Sequence, residues 1–412
     1  MAKKSSRGRR APSRSGNSKS TSGGGPAAGI ARTYRRDLSD VTEALGIEAL
    51  ASAVAALWRP AHAVLDRHPQ VALEAAVVAA VEAKADARSL EALRALALVD
   101  AEGTAGAAAN RLATTGLPEP AWSKAVEAWA PARATLLRED VFNEGYDVFV
   151  EFEGETPHVL GVHVDRNCGE NATDIMLTGD LEPVRRLVAA HATDQIGLEA
   201  ISLSEARARI ERALAALTMT VGVPEGETLA VLRLLLLRRL TLLPDGHGLP
   251  APTTRGDDER EALVEAFLAT DEGRRFGGDD DARDLLALAV DFAEDHIGDA
   301  LRWSPAVIEC FTTDWLPRKV IDEPGFFERV ADVLPPWVRH AGRVRGVPAA
   351  DYEEASAVVW LHLDELREAV ADPEAWGLAK SAAIGGDSGD AALDERMQEL
   401  MDSAREDDNP YG

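Results

Sequence analysis

Apolar residues recur every three to four positions between residues 38 and 112. Leu50, Val54 and Leu57 form one such stripe. This spacing places apolar side chains on one face of an α-helix. The sequence therefore predicts Ala- and Leu-rich packing helices in this part of the chain, followed by a short helix around Trp122.

The period changes to two between about Tyr146 and Leu177. Val148, Val150 and Phe152 alternate with other residues, and a turn at 154–157 separates them from a second alternating run. Alternation of this kind is typical of half-buried strands. We predict an antiparallel meander of two or three strands. Because an isolated hairpin is only marginally stable in water, the meander must pack against helices.

Helical spacing resumes at Ser202, which stands with Glu205 at the spacing of a capping box. Ser304 followed by Pro305 is typical of an N-cap and a first helical residue. Further helices are predicted over Thr228–Leu243, Asp258–Leu268, Ala282–Asp295, Pro305–Trp315, Phe326–Leu334, Pro336–Val344 and Tyr352–Val370.

These patterns predict a mainly α protein, with a multi-helix body, one small antiparallel β meander and disordered tails. The predicted organisation is a disordered basic arm over residues 1–36, an Ala-rich helical region over 37–142, a β-meander region over 143–200, a helical domain over 201–382 and an acidic flexible tail over 383–412.

Charge is strongly segregated along the chain. Residues 1–36 contain ten Lys/Arg and no Asp/Glu, whereas the rest of the chain carries 34 Lys/Arg against 70 Asp/Glu. A cationic segment of this kind attracts nucleic acid, another polyanion or the acidic surface of the protein itself. The candidate polyanion-binding residues of the arm are Lys3, Lys4, Arg7, Arg9, Arg10, Arg14 and Lys19.

A second basic group lies in the otherwise acidic body, close in sequence to Trp315 and Trp337. It comprises Arg318, Lys319, Arg339, His340, Arg343 and Arg345. Arginines beside exposed aromatic rings stack on bases and pair with phosphates. The alternative is that the arginines pair with acidic helices of the same chain while the tryptophans lie in the core.

Two segments could carry catalysis. The turn Asp165–Cys168 could present Cys168 as a nucleophile with Arg166 lowering its pKa, although a turn stabilised by its own Asp and Asn side chains explains it more simply. Helical spacing brings Asp291 and Asp295 onto one face, with Glu294 and His296 nearby. A solvated helix end is the simpler interpretation of that cluster.

No metal or cofactor site is predicted. His158 and His163 lie five positions apart, an odd spacing that a strand places on opposite faces, where they cannot share a metal. The Asp279–Asp281 run is interpreted as an acidic helix N-terminus, and the glycine patterns that cradle phosphates are missing.

The cysteines and the apolar segments of the chain suggest where in the cell the protein is located. Its two cysteines, Cys168 and Cys310, are far apart, which favours a reducing cytoplasm over a disulfide-stabilised exported protein. The basic start is followed by no apolar segment of signal-peptide length, and the apolar run at 229–243 is interrupted by arginines. We expect a cytoplasmic protein without a membrane role.

Several strings resemble a family of hypothetical proteins from high-GC bacteria. They are Leu301-Arg302-Trp303-Ser304-Pro305, the segment Asp314-Trp315-Leu316-Pro317-Arg318-Lys319-Val320, Trp337-Val338-Arg339 with Gly342, and the strand and turn from Val162 to Asn167. The resemblance covers about 146–380. Because that family has no assigned activity, it implies a bacterial source and transfers no functional residue.

The sequence favours a non-enzymatic binding or scaffold protein that contacts nucleic acid or another polyanion weakly through its basic arm. The alternative is an enzyme that uses the Asp165–Cys168 turn or the Asp291–Asp295 carboxylates. The partner's identity and the oligomeric state do not follow from the sequence.

Overall fold

The computed structural model describes residues 25–59, 68–100, 103–167, 169–193, 195–219, 226–247, 249 and 253–385. The described residues form two compact units. The first contains residues 25–59 and 68–120, and the second begins at residue 121. The predicted fold class, mainly α with a small antiparallel sheet, is confirmed.

The first unit is built of helices. They are α1 (Pro26–Leu38), α2 (Ala44–Ala56), α3 (His68–Glu82), α4 (Ala87–Val99) and α5 (Thr104–Ala113). Helix α1 packs on α3 and α4, and α5 packs on α3 and α4 as well. The described residues between 38 and 112 are therefore mostly helical, as predicted, but the buried face of α2 is formed by Ile47, Ala51 and Ala55 rather than by the predicted stripe, of which Leu57 follows the helix and is exposed.

Helix α1 corrects the predicted boundary of the basic arm at residue 36. Ala31, Tyr34 and Leu38 are buried along one face of α1, and the Tyr34 hydroxyl donates to the Ala92 carbonyl at 3.1 Å. Arg35 also forms an ion pair with Asp86. This short apolar stripe stabilises a helix in a segment whose overall composition is polar.

The second unit contains one antiparallel sheet. Its strands are β1 (Ala130–Arg138), β2 (Gly145–Glu153), β3 (His158–Asp165), β4 (Asn171–Thr178) and β5 (Gly197–Ile201). They lie in the order β4-β3-β2-β1-β5. Strands β2, β3 and β4 are the predicted meander.

Strands β1 and β5 are additions to the predicted meander. Strand β1 falls in the region predicted to be helical, 37–142, because its Ala and Leu residues carry no clear period. Pairing with β2 on one side and β5 on the other fixes it as a strand. The register shifts between Pro131 and Arg133, as expected where proline cannot donate to the ladder.

Helices cover both faces of the sheet. Helix α7 (Glu182–His191) contributes Val184 and Val188 to a cluster with Phe149 on one face, while α8 (Leu203–Met219) and α9 (Glu227–Leu240) pack on the other. The start of α9 also covers the β4 edge: the Gly226 amide donates to Thr173, and Thr228 Oγ1 accepts from the Ile175 amide. A covered edge cannot pair with another strand.

The remaining helices of the second unit lie before and after the sheet in the sequence, and most of them share one hydrophobic core. They are α6 (Ser123–Glu127), near the start of the unit, and then α10 (Asp257–Leu268), α11 (Asp280–Phe292), α12 (Pro305–Glu309), α13 (Leu316–Lys319), α14 (Pro324–Glu328), α15 (Val330–Arg345), α16 (Ala349–Leu361), α17 (Leu363–Ala371) and α18 (Leu378–Gly385). Phe292, Trp303, Phe311 and Trp337 lie in the core formed by α10–α17.

Helix α15 differs from the prediction of two helices that break before Pro336. Val330–Arg345 is continuous, with Pro335 and Pro336 inside it. Proline at position 336 removes the amide that would bond to the Asp332 carbonyl. The Arg275 guanidinium donates to that carbonyl instead, at 3.2 Å, so the acceptor stays satisfied.

Two predicted helix ends are π-helical. Ala293–Ile297 follows α11, and Cys310–Trp315 follows α12. In the second segment the hydroxyl of Thr312 donates to the Ile308 carbonyl, and that of Thr313 donates to the Glu309 carbonyl. Threonine hydroxyls that bond to the preceding turn loosen the regular helical ladder.

Arg302 joins the sheet to the helical part of the second unit. Its side chain is 0% exposed. The guanidinium donates to the carbonyls of Asn143, Arg166 and Ile297 and to Asn167 Oδ1, at 2.5 to 3.2 Å. One planar cation therefore ties the β1–β2 loop, the turn after β3 and the π-helix after α11 together.

The residues around Arg302 support the same junction. Ser304 caps α12 by accepting from the Val307 amide, and its hydroxyl donates to Glu144 at the start of β2. Trp303 Nε1 donates to the Ala300 carbonyl at 3.0 Å. The side chains of Arg302, Trp303 and Ser304 thus all make interior contacts.

Among the described helices, none has the length and apolarity needed to span a bilayer.

Replacement of Arg302 by Met should destabilise the second unit by about 3 kcal/mol, because several buried acceptors lose their donor. Urea unfolding followed by tryptophan fluorescence measures this, since seven of the eight tryptophans lie in the second unit. Arg274→Met is the control, because the side chain of Arg274 is 71% exposed. A Met variant as stable as the wild type would show that Arg302 does not hold the junction.

Candidate functional site

The basic side chains of the body are engaged by acidic neighbours. Arg318 contacts Asp314 at 2.9 Å, Arg343 contacts Glu272 at 2.6 Å and Arg345 contacts Asp299 at 2.9 Å. Arg339 lies 3.9 Å from Glu353 and donates to the Ser356 hydroxyl. Lys319 ends α13 and is exposed. Polyanion binding by these five residues remains a prediction, and a bound anion would compete with these carboxylates.

The two tryptophans near the basic group pack internally. Trp337 is 0% exposed and contacts Phe267 edge-on, with ring centroids 5.5 Å apart. Trp315 stacks on Phe311 and donates from Nε1 to His296 Nε2 at 2.7 Å. His340 also contacts Phe267 and Trp337. These rings are therefore held by the core. Lys3, Lys4, Arg7, Arg9, Arg10, Arg14 and Lys19 lie outside the described residues.

The turn proposed as a nucleophile site is held by hydrogen bonds. Asp165 Oδ1 accepts from the Asn167 amide at 2.6 Å, which is the Asx-turn expected for this string. The Arg166 carbonyl and the Asn167 side chain both accept from Arg302. Cys168 lies outside the described residues, and the described part of the turn has a structural role.

The carboxylates of 291–295 are neutralised by arginines. Arg260 donates to Asp291 at 3.0 Å and to Asp295 at 2.5 Å. Glu294 is buried and accepts from the Arg255 guanidinium at 2.6 Å and from two backbone amides. Burial favours its neutral form, but the hydrogen bonds prevail and lower the pKa of Glu294. A metal ion here would have to displace two arginines.

The Asp279–Asp281 run begins α11, as predicted. Asp279 is the N-cap, and its side chain accepts from the Ala282 amide at 3.1 Å. It also pairs with Arg329.

His158 and His163 lie in different surroundings, as their odd separation predicts. His158 is 2% exposed and stacks on Phe152 with a centroid distance of 5.1 Å, while the Trp129 ring meets it edge-on. Its Nδ1–H donates to the Thr156 carbonyl at 3.1 Å. Burial, with a smaller contribution from Arg239, lowers the pKa of His158 to about 4. A neutral imidazole at this position is a core residue.

His163 belongs to a polar cluster with Asp147 and Glu139, which we call the sheet triad. Asp147 is the direct cross-strand partner of His163, and Glu139 follows the last residue of β1. His163 Nδ1 lies 3.1 Å from Asp147 Oδ1 and 3.2 Å from Glu139 Oε1. Hydrogen bonds to both carboxylates raise the pKa of His163 to about 10.

The triad carboxyl groups respond differently to the shared site. Burial raises the pKa of Asp147 to about 6, and Glu139 adds to the rise while His163 opposes it. The hydrogen bond with His163 lowers the pKa of Glu139. The triad therefore combines one protonated imidazole with two carboxylates at one end of the sheet.

Sequence reasoning missed the sheet triad. The available signal was that Asp147 and His163 each stand between two buried apolar neighbours in a strand. Their contact depends on the β2–β3 register, and the approach of Glu139 depends on β1, which was not recognised. The chain matches no family model, no curated protein and no solved structure.

His158 should make stability pH-dependent. Its folded pKa is lowered below the ordinary 6.5 to about 4, so between these values the unfolded chain binds a proton that the native chain does not. The free energy of unfolding should fall by up to about 3 kcal/mol as pH drops through this window. The His158→Phe variant should lose this component.

Urea unfolding of wild type and His158→Phe at several pH values between 7 and 4 measures the effect. His191→Gln is the matched control, because His191 is an exposed histidine of α7. If the wild-type and His158→Phe profiles run parallel, His158 does not titrate in this way.

Proposed function

We propose that the protein is a non-enzymatic binding or scaffold protein whose N-terminal basic residues contact nucleic acid or another polyanion. The observation that carries the proposal is the segregation of charge: residues 1–24 contain seven Lys/Arg and no acidic residue, ahead of a strongly acidic chain. Seven cations provide enough charge for weak binding that does not depend on base sequence.

The structure supports this assignment by accounting for other cations. Arg35 and Arg36 of α1 pair with Asp86 and Asp37, and four of the five candidate basic residues in the body contact acidic or polar side chains. An approaching phosphate gains least from cations that already have carboxylate partners. The seven cations that precede α1 in the sequence are therefore the preferred candidates for contacting a phosphate. A cytoplasmic location, proposed from the cysteine content, agrees with such a role.

An enzyme is the second candidate, and the two segments suggested for it have less support. Arginines neutralise the carboxylates of 291–295, and Asp165 and Arg302 fix the described part of the Cys168 turn. Both arrangements are those of structural ion pairs and turns.

Binding to a labelled DNA duplex should depend steeply on salt. If four phosphates are contacted, the logarithm of the association constant should fall with the logarithm of salt concentration with a slope of roughly −4. Fluorescence anisotropy across a salt series measures the slope. A full-length variant with Lys3, Lys4, Arg7, Arg9, Arg10, Arg14 and Lys19 replaced by Gln should lose binding.

The control carries Arg318→Gln and Lys319→Gln, and it should bind like the wild type. The substitutions leave α1 intact, whereas a truncation at Asp37 would remove most of a helix of the first unit. Loss of binding in the control, with retention in the seven-residue variant, would move the site to α13. Negligible wild-type binding at low salt would instead favour an arm that pairs with the acidic surface of its own chain.

A further inference from the structure

We propose that the sheet triad, Glu139, Asp147 and His163, is a binding site for one divalent transition-metal ion of the zinc type. This site is independent of the N-terminal basic residues. Among the described residues, it is the one group of His, Cys, Asp and Glu side chains whose donor atoms converge closely enough to hold an ion, with all donor atoms within 4.8 Å of one another.

The distances from the imidazole nitrogen to the two carboxylate oxygens fit tetrahedral coordination. In a tetrahedral site with metal–ligand distances of about 2.0–2.1 Å, neighbouring ligand atoms lie about 3.3 Å apart. His163 Nδ1 lies 3.1 and 3.2 Å from the two carboxylate oxygens. An ion could therefore bind with small side-chain movements.

The backbone supports two of the ligands rigidly. Asp147 and His163 face each other on β2 and β3, two interior strands of the sheet. Glu139 begins a loop in which Asp140 accepts from the amides of Phe142 and Glu144, at 2.7 and 2.9 Å. A ligand set on paired strands and a hydrogen-bonded loop is better fixed than one on a free loop.

Gly145 makes room for the imidazole. A Cβ at this position would lie 3.1 Å from His163 Cε1 and 3.4 Å from Nε2. The start of β2 thus passes directly beside the ring and limits its movement on that side.

The residue that contacts the carboxylates distinguishes the triad from the other acidic clusters. Arg260 neutralises Asp291 and Asp295, and arginines also pair with Glu151, on the same strand and sheet face as Asp147. In the triad the partner of the carboxylates is an imidazole, whose Nδ1 lies 3.1 and 3.2 Å from them. An arginine stays charged at any physiological pH, whereas an imidazole can lose its proton and become a metal ligand.

The ligand chemistry selects the class of ion. Imidazole nitrogen with carboxylate oxygens suits Zn²⁺, Co²⁺ and Ni²⁺, whereas Mg²⁺ and Ca²⁺ prefer oxygen ligands alone. The side chains of His163, Glu139 and Asp147 are 34%, 35% and 20% exposed, so solvent reaches the site. Three protein ligands leave a fourth position for water.

Imidazole binds a metal through the lone pair of an unprotonated ring nitrogen, so a metal ion and a proton would compete for His163 Nδ1. The charged or polar neighbours that face the ring are Asp147 and Glu139, with Asp174 of β4 as the other cross-strand partner. Asp174 accepts from the Thr228 hydroxyl at 2.5 Å and so already has a partner.

Isothermal titration calorimetry of the full chain with Zn²⁺ tests the proposal. We expect one strong site, with a stoichiometry of one ion per chain. Glu139→Gln and Asp147→Asn should each weaken binding by at least about tenfold, the loss caused even by removal of an outer-sphere partner. His163→Ala should abolish the site, and excess Mg²⁺ should not compete.

Glu151→Gln is the matched control, because it removes a carboxylate from the same face of β2 and leaves the triad intact. It should bind Zn²⁺ like the wild type. Circular dichroism establishes that each variant is folded, and Glu139→Gln, the most exposed position, decides the outcome if an interior variant does not fold. Absence of a one-to-one site, or binding unchanged in Glu139→Gln and the folded variants, overturns the proposal.

Discussion

The Arg302 guanidinium is buried where three backbone segments of the second unit meet. Its hydrogen bonds go to carbonyls of the β1–β2 loop, the turn after β3 and the π-helix after α11. Burial, followed by the charges of Arg166 and Arg345, lowers its pKa to about 10, so it stays charged at neutral pH. A buried charge without these acceptors would be very costly, and the sheet and helices must therefore meet in this arrangement.

Other arginines of this acidic chain also bond carboxylates or backbone carbonyls. Arg255 and Arg260 neutralise carboxylates of α11 and the π-helix that follows it, and Arg275 completes α15 where Pro336 leaves a free carbonyl. These contacts explain why acidic clusters and basic groups that suggest binding sites in the sequence are internal partners in the fold. The sheet triad differs from them, because its carboxylates contact a histidine rather than an arginine.

The two proposals concern separate parts of the chain and different chemistry. Polyanion binding rests on the number of cations before α1 and needs no fixed geometry, because the salt-dependent term depends on charge. Metal binding rests on three donor atoms, two of them held by strand register and one by the loop after β1. Each can therefore fail without affecting the other.

The local sequence determined those elements that hydrophobic spacing or capping residues identify without reference to distant parts of the chain. The period of two located β2 and β3 and placed His158 and His163 on opposite faces, and Ser304-Pro305 identified the start of α12. Such features depend on neighbours a few residues away. Tertiary structure decided the rest. β1 is a strand because β2 and β5 pair with it. Residues 26–36 are helical because the side chain of Tyr34 is buried in the core of the first unit. The sheet triad likewise depends on strand pairing, which places Asp147 opposite His163 and brings Glu139, which follows β1, close to both. Long-range register of this kind cannot be recognised from local spacing.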